Sequence, residues 1–316
     1  MQSVKRSAAK PRFVYGPVPS RRLGFSLGVD ILPFKTCSLD CVYCQLGPSA
    51  RTTGRRRSWF ESREVLAQIR AALGSAPRVD HITFSGSGEP TLNKNLGRII
   101  RAVKRTTRVP VAVLTNATLL SRRDVRADLL AADVVVPSLD AAQPRMFRAV
   151  NRPHPSLGAG RVIDGLVRFR REFKGQIWLE IMLVKGMNDA PGHLRALKNA
   201  VALINPDRIQ LNTVVRPPAE ATARPLTARE LERIRRTLGD RAEVVADFGK
   251  KGPARKGVDL EEAISAVVKR RPVTAGDISA SLAKSRGEVL CALRRLSQSG
   301  RVRTVHHARK TFYEAA

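Results

Sequence analysis

Short apolar runs alternate with amphipathic stretches from residue 27 to residue 212, and few architectures tolerate that alternation. The runs predict strands over 27–32, 81–85, 111–115, 134–138, 177–184 and 208–212. The stretches between them predict helices over 62–73, 96–106, 122–131, 161–173 and 192–204. Residues 62–73 carry the helical period clearly, with Val65, Leu66, Ile69 and Leu73 on one face. Strands that alternate with helices pair in parallel through right-handed crossovers, so the expected class is α/β. Six such units make an open partial barrel, whose chemistry belongs at the C-terminal ends of its strands.

Residues 1–20 read as extended and irregular, because Pro11, Gly16, Pro17 and Pro19 interrupt any helix. A helix over 228–238 and a strand over 243–245 complete a main domain spanning 1–248. Residues 249–257, Gly-Lys-Lys-Gly-Pro-Ala-Arg-Lys-Gly, form a basic linker to a second unit at 258–316. That unit starts with a helix over 260–269. Thr274 and Asp277 have the spacing of a capping box, as do Ser285 and Glu288 ahead of a helix that runs to Ser299. Strands over 301–306 and 310–313 follow, turning at Ala308-Arg309. The order of three helices and a hairpin resembles a small winged-helix domain. Arg286, Arg294 and Arg295 on its last helix, with Arg309 and Lys310 on its wing, are the residue types that contact nucleic acid. A structural or protein-binding winged helix has the same outline.

Three of the four cysteines fall in Thr36-Cys37-Ser38-Leu39-Asp40-Cys41-Val42-Tyr43-Cys44, directly after the first expected strand. The spacing supplies three thiolates from one loop and no fourth. A structural zinc site asks for four tetrahedral ligands, and no second cysteine pair exists. A disulfide framework is out of place in a long chain with few cysteines. A cubane [4Fe–4S] cluster held by three cysteines keeps one iron open to an outside chelator. With an aromatic residue just before the last cysteine, the pattern resembles the radical S-adenosylmethionine (SAM) superfamily. The resemblance implies an open (β/α)6 partial TIM barrel, a [4Fe–4S] cluster on Cys37, Cys41 and Cys44, and SAM chelated to the open iron. It also implies reductive cleavage of SAM to a 5′-deoxyadenosyl radical that abstracts hydrogen from a substrate.

The same resemblance assigns candidate cofactor contacts. The second expected strand ends in Ser85-Gly86-Ser87-Gly88-Glu89-Pro90-Thr91, where the family has a Gly-Gly-Glu-like motif that receives the SAM amino group. Gly86, Gly88 and Glu89 match it, although an ordinary strand-to-helix turn is also glycine-rich. Asn116, Ser138 and Asp140 end the next two strands and are candidates for the SAM ribose or carboxylate, or for substrate. Turn residues of these types are common there for local reasons. Asn212, with Gln210, occupies the sixth strand, where the family often meets adenine. Glu180 alternates with apolar neighbours on the fifth strand, and an acid inside a barrel needs a partner or a ligand. Lys185 follows that strand, either as a phosphate or Schiff-base lysine or as a solvated surface residue.

The formal charge is +30, of which 259–316 carry a net +5 and the preceding residues +25. Such an excess favours a polyanionic partner, RNA more than DNA. Arg21-Arg22 and Arg55-Arg56-Arg57 bracket the cysteine loop and read as an anion-guiding rim. No apolar stretch approaches the ~20 residues that span a bilayer, and no secretory h-region is present, so a cytoplasmic chain without membrane contact is expected. The partners expected are SAM, a reductant such as flavodoxin or ferredoxin, and nucleic acid.

Ordered blocks narrow the resemblance. They are Tyr15 to Gly24, Lys35 to Gly47, Phe84 to Leu92 and Leu183 to Asn188. Together they are similar to the branch grouped with the wyosine-tRNA-synthesis radical SAM proteins. That branch uses a second cluster on additional N-terminal cysteines, whereas here no cysteine precedes Cys37, and Cys291 stands alone in the last helix. The substrate stays open between RNA, a protein and a small molecule. A nucleic-acid-binding regulator that senses its cluster or SAM is the other reading.

Overall fold

The computed structural model describes residues 11–20, 22–48, 51–76, 78–245, 260–282, 284–308 and 310–316. Eight strands lie in one sheet in chain order. They are β1 (Val14–Ser20), β2 (Gly24–Val29), β3 (His81–Phe84), β4 (Val111–Thr115), β5 (Val134–Pro137), β6 (Gln176–Leu183), β7 (Arg208–Thr213) and β8 (Ala242–Val244). β1 runs antiparallel to β2, and every later pair is parallel. Parallel neighbours need long crossovers. These contain α1 (Ser62–Ser75), α2 (Leu96–Thr106), α3 (Arg123–Leu129), α4 (Pro144–Asn151), α5 (Ala159–Glu172), α6 (Pro191–Ile204) and α7 (Ala228–Leu238). The expected α/β class and partial-barrel architecture are present.

The strands read as apolar runs because helices cover the sheet. All four residues of β5 are buried, and Val29, Phe84, Val113, Val135 and Leu179 are wholly removed from solvent. The parallel run places the C-terminal ends of β2 to β7 on one side, so the loops after them share a rim.

Three departures from the sequence expectation have physical reasons. Residues Val14–Ser20 form a strand despite their prolines, since β1 is an edge and its pairing with β2 shifts register between Tyr15 and Val18. β2 stops at Val29, because Asp30 turns the chain out of the sheet and Ile31 gives its carbonyl to Asn93 Nδ2 at 2.8 Å. α4 has only Phe147, Val150 and Asn151 buried and begins with Pro144, which reads as a breaker but sits in the first turn where a helix tolerates it.

The C-terminal residues form α8 (Leu260–Val268), α9 (Ala275–Leu282), α10 (Arg286–Gln298) and an antiparallel hairpin of β9 (Val302–His307) and β10 (Lys310–Ala315). Ser285 and Glu288 cap α10 reciprocally, and Thr274 and Asp277 do the same for α9. Ile264, Val267, Ile278, Leu282, Val289, Leu293 and Leu296 build the core of this unit, and Val18 of β1 completes it. The edge strand is therefore covered by α8 and α9 rather than left open. The expected linker at 249–257, Arg21 and Arg309 lie outside the described residues. Among the described residues, no helix is long and apolar enough to cross a membrane.

Tyr15 lies flat over Gly28, where a Cβ would stand 2.1 Å from Tyr15 Cζ. Gly28→Ala is expected to lower unfolding free energy by about 1–3 kcal/mol through overpacking. Urea denaturation checks this, and a midpoint equal to that of the native chain would contradict the packing.

Candidate active site

The cysteine loop is fastened to the loop after β3 by backbone. Thr36 and Gly88 form a parallel bridge, and Glu89 N donates to Thr36 O at 3.0 Å. A Cβ on Gly88 would lie 1.8 Å from Thr36 O, so only glycine permits this approach. Gly86, at φ +138°, is held against Asp30. Ser87 donates to Asp30 Oδ2 from its amide at 3.1 Å and from its hydroxyl at 2.6 Å. Arg270, at the end of α8, reaches the same oxygen with Nε at 3.2 Å and lies over the Tyr15 ring. The C-terminal unit thus touches the glycine loop through one shared carboxylate.

Each sulfur of the loop faces a side-chain N–H donor from a different place in the chain. Lys35 Nζ is 3.4 Å from Cys44 Sγ, Asn116 Nδ2 is 3.5 Å from Cys37 Sγ, and Asn151 Nδ2 is 3.5 Å from Cys41 Sγ. Burial pushes the Cys37 thiol up to about 12, aided by the Glu89 charge, and pushes Cys41 well above its ordinary value. As bare thiols these two are neutral. Coordination to iron deprotonates a thiol outright, and donors already aimed at sulfur suit the resulting charge. Among the described residues, no three His, Cys, Asp or Glu side chains converge on a point for a single metal ion. A cubane does not require that convergence, since its cysteines sit on separate irons. The donor set fits an iron–sulfur cluster.

Two buried carboxylates brace the rim. Glu89 accepts from Thr91 N at 3.1 Å, from Thr91 Oγ1 and Thr115 Oγ1 at 2.6 Å each, and from Asn116 N at 2.6 Å. Burial raises its carboxyl above the usual range, while those donors oppose the rise. Asp140 accepts from Tyr43 Oη, from Asn151 Nδ2 at 2.7 Å and from Met182 N at 2.8 Å. Burial pushes it up to about 6 against the same kind of opposition. Both acids are engaged by protein donors, and Asn116 Nδ2 also donates to Ser38 Oγ at 2.9 Å. Ser138 is half-buried at the end of β5, bridged to Glu180. Asn212 Nδ2 donates to Glu180 Oε1 at 2.9 Å, and Arg22 Nη1 lies 2.5 Å from Glu180 Oε2. Glu180 therefore has the partner that an acid inside a barrel needs. Gln210 turns instead to Glu243, at 2.9 Å.

One expectation changes and one alternative is decided. Arg56 is no rim cation: it is buried, donates to the Thr91 and Asn93 carbonyls, and pairs with Asp124 and Asp128. Lys185 is a half-exposed residue paired with Glu230 at 2.9 Å, which is the surface reading. Lys35, Asn151, Asp30 and Arg270 escaped the sequence reading. Lys35 adjoins the cysteine motif and was within reach; the other three act across long chain separations.

The model of the radical SAM superfamily matches residues 31–197. That segment covers the cysteine loop, the glycine loop and the ends of β3 to β6, and stops before Gln210 and Asn212 on β7. The chain belongs to the radical SAM superfamily. Superfamily members are enzymes that use a [4Fe–4S] cluster and SAM. A UPF0026 protein of Synechocystis is 40% identical over 205 residues, covering 65% of this chain and 76% of that protein. A protein of Brachyspira hyodysenteriae named GTPase Obg is 37% identical over 306 residues. The match takes in 96% of this chain but spans only 45% of that relative's length. A solved structure of TYW1 with a lysine–pyruvate adduct bound superposes with a TM-score of 0.53 at 18% identity, over 71% of this chain and 75% of that one. At that identity the likeness is one of fold.

Gly88→Ala forces a methyl group against the Thr36 carbonyl, and the cysteine loop has to move. After anaerobic reconstitution, the variant is expected to hold less than half the iron and sulfide of the native chain. Full loading would show that the close approach is dispensable.

Proposed function

We propose that this chain is a radical SAM enzyme that binds one [4Fe–4S] cluster on Cys37, Cys41 and Cys44 and acts on RNA, with tRNA the first substrate to test. The observation that carries the reading is the set of three sulfurs, each opposed by its own N–H donor, inside the superfamily segment. When bound, the cluster would supply the electron for reductive cleavage of SAM, the source of the radical that abstracts hydrogen.

The chain's own residues bind and position. Gly86 and Gly88 let the backbone after β3 pack close against Asp30 and Thr36, shaping the turn that would receive the SAM amino group, and Glu89 fixes that backbone in place. Asn116 links the Glu89 brace to Cys37 and Ser38. Asp140 holds Tyr43 and Asn151 beside the loop. Ser138 and Asn212 are the candidate contacts for ribose and adenine, with Asn212 oriented by Glu180. Electrons come from a small acidic carrier of the flavodoxin or ferredoxin type.

The net charge of +30 supports an RNA substrate over a neutral metabolite. We assign 1–248 to the radical SAM core, 249–257 to a linker and 258–316 to a winged-helix-like unit within the wyosine-synthesis-like branch. The three helices and hairpin of 260–316 support the last assignment. On α10, Arg295 is already paired with Glu261 at 2.5 Å, which leaves Arg286 and Arg294 as the better candidates for phosphate contact.

The test is 5′-deoxyadenosine formation by the anaerobically reconstituted chain with reductant, with and without total tRNA. Turnover that rises with tRNA and vanishes in Cys44→Ala is expected. Turnover indifferent to tRNA keeps the enzyme and moves the substrate to proteins or metabolites. No turnover from a fully loaded cluster sinks the reading in favour of a sensor.

A further inference from the structure

A cavity of about 890 Å³ opens between the loop that follows Cys44 and the C-terminal unit. Its floor includes Asp30 and Ser87 of the glycine-loop network and Gln45 to Pro48 just past the last cysteine. Its far wall is the segment that leaves α8, Val268 to Pro272, together with Arg303 and Val305 of the hairpin. Neither unit alone encloses the space. The volume lies within the range of small-ligand sites, about 300–1,000 Å³.

The charges in this cavity sort into two groups. Arg12 pairs with Glu262 at 3.5 Å, Arg270 with Asp30 at 3.2 Å, and Arg303 with Glu314 at 2.8 Å. Lys269 and Arg271 make no ion pair among the described residues. Arg271 goes further: its Nε is buried and has no hydrogen-bond partner there. A cation that lines a cavity without a carboxylate partner suits an anion that enters there.

The cavity also holds an aromatic surface out of place on a closed fold. Phe34 is 63% exposed, and the next residue is Lys35, whose ammonium meets Cys44 Sγ. An exposed ring and unpaired cations lining one cavity suit a nucleotide, with the base stacking on the ring and phosphate on the cation. We infer that this cavity is the substrate site, that it takes a nucleotide of single-stranded or locally opened RNA, and that Arg271 and Phe34 are its phosphate and base contacts. The inference rests on the proposed RNA-directed function and adds the place and the residues. It makes the C-terminal unit a wall of the substrate site rather than a distant reader of nucleic acid.

The test is fluorescence anisotropy of a short labelled single-stranded RNA with cluster-loaded full-length protein in the presence of SAM. Phe34→Ala, Arg271→Ala and Arg271→Lys are compared with Arg229→Ala, which removes one exposed charge from α7. Phe34→Ala and Arg271→Ala are each expected to weaken binding about tenfold, Arg271→Lys less, and Arg229→Ala less than about twofold. Phe34 is exposed, so its variant decides the matter if Arg271→Ala misfolds. Binding by the native chain that Phe34→Ala and Arg271→Ala leave at the Arg229→Ala level overturns this site while RNA binding stands. A native chain that does not bind the RNA at all overturns the substrate class, and the inference with it.

Discussion

A loop with no regular structure of its own holds three sulfurs in place only if something rigid holds the loop. Here the rigid element is the parallel sheet, and the fastening is made at its C-terminal rim. The Thr36–Gly88 bridge ties the loop to β3, Asn116 ties it to β4, Tyr43 ties it to Asp140 after β5, and Asn151 ties it to α4. Every one of these contacts joins residues far apart in the chain. The site is accordingly a product of the whole barrel, and no fragment of it carries the geometry.

The two buried acids show how burial and hydrogen bonding oppose each other at such a rim. Removing a carboxylate from water is expensive unless donors replace the solvent. Glu89 finds two hydroxyls and two amides, and Asp140 a phenol, an amide side chain and an amide N–H. The donors come from separate loops, so satisfying each acid fixes several loops at once. Glycines then fill the gaps where backbone must pass close to backbone. Gly88 serves the loop-to-loop contact as much as any ligand, which gives the Gly-Ser-Gly-Glu run a mechanical reason beside its chemical one.

Much of the fold was legible because its signals are local. Residues 111–115, 96–106 and 228–238 matched their elements end to end, since apolar periodicity and flanking turn residues mark both limits. The cysteine spacing marked the loop for the same reason. The edge strand β1 was hidden, because prolines that forbid an inner strand are tolerated at an edge. Arg56 was hidden differently: three adjacent arginines look like one solvated patch, and only packing reveals that the middle one points inward to Asp124 and Asp128. Asn151 carried no signal at all, because a single asparagine near the end of a short helix gains its meaning only from Cys41, 110 residues away.

The contact between Asp30 and Arg270 spans 240 residues of chain. A ribosome therefore releases the acid, the glycine loop and the edge strand long before it makes the cation and the helices that cover them. During that interval β1 offers an unpaired edge, and Asp30 has no Arg270 to meet. Synthesis thus leaves the later-made segment to close a surface that the earlier-made one keeps open until then.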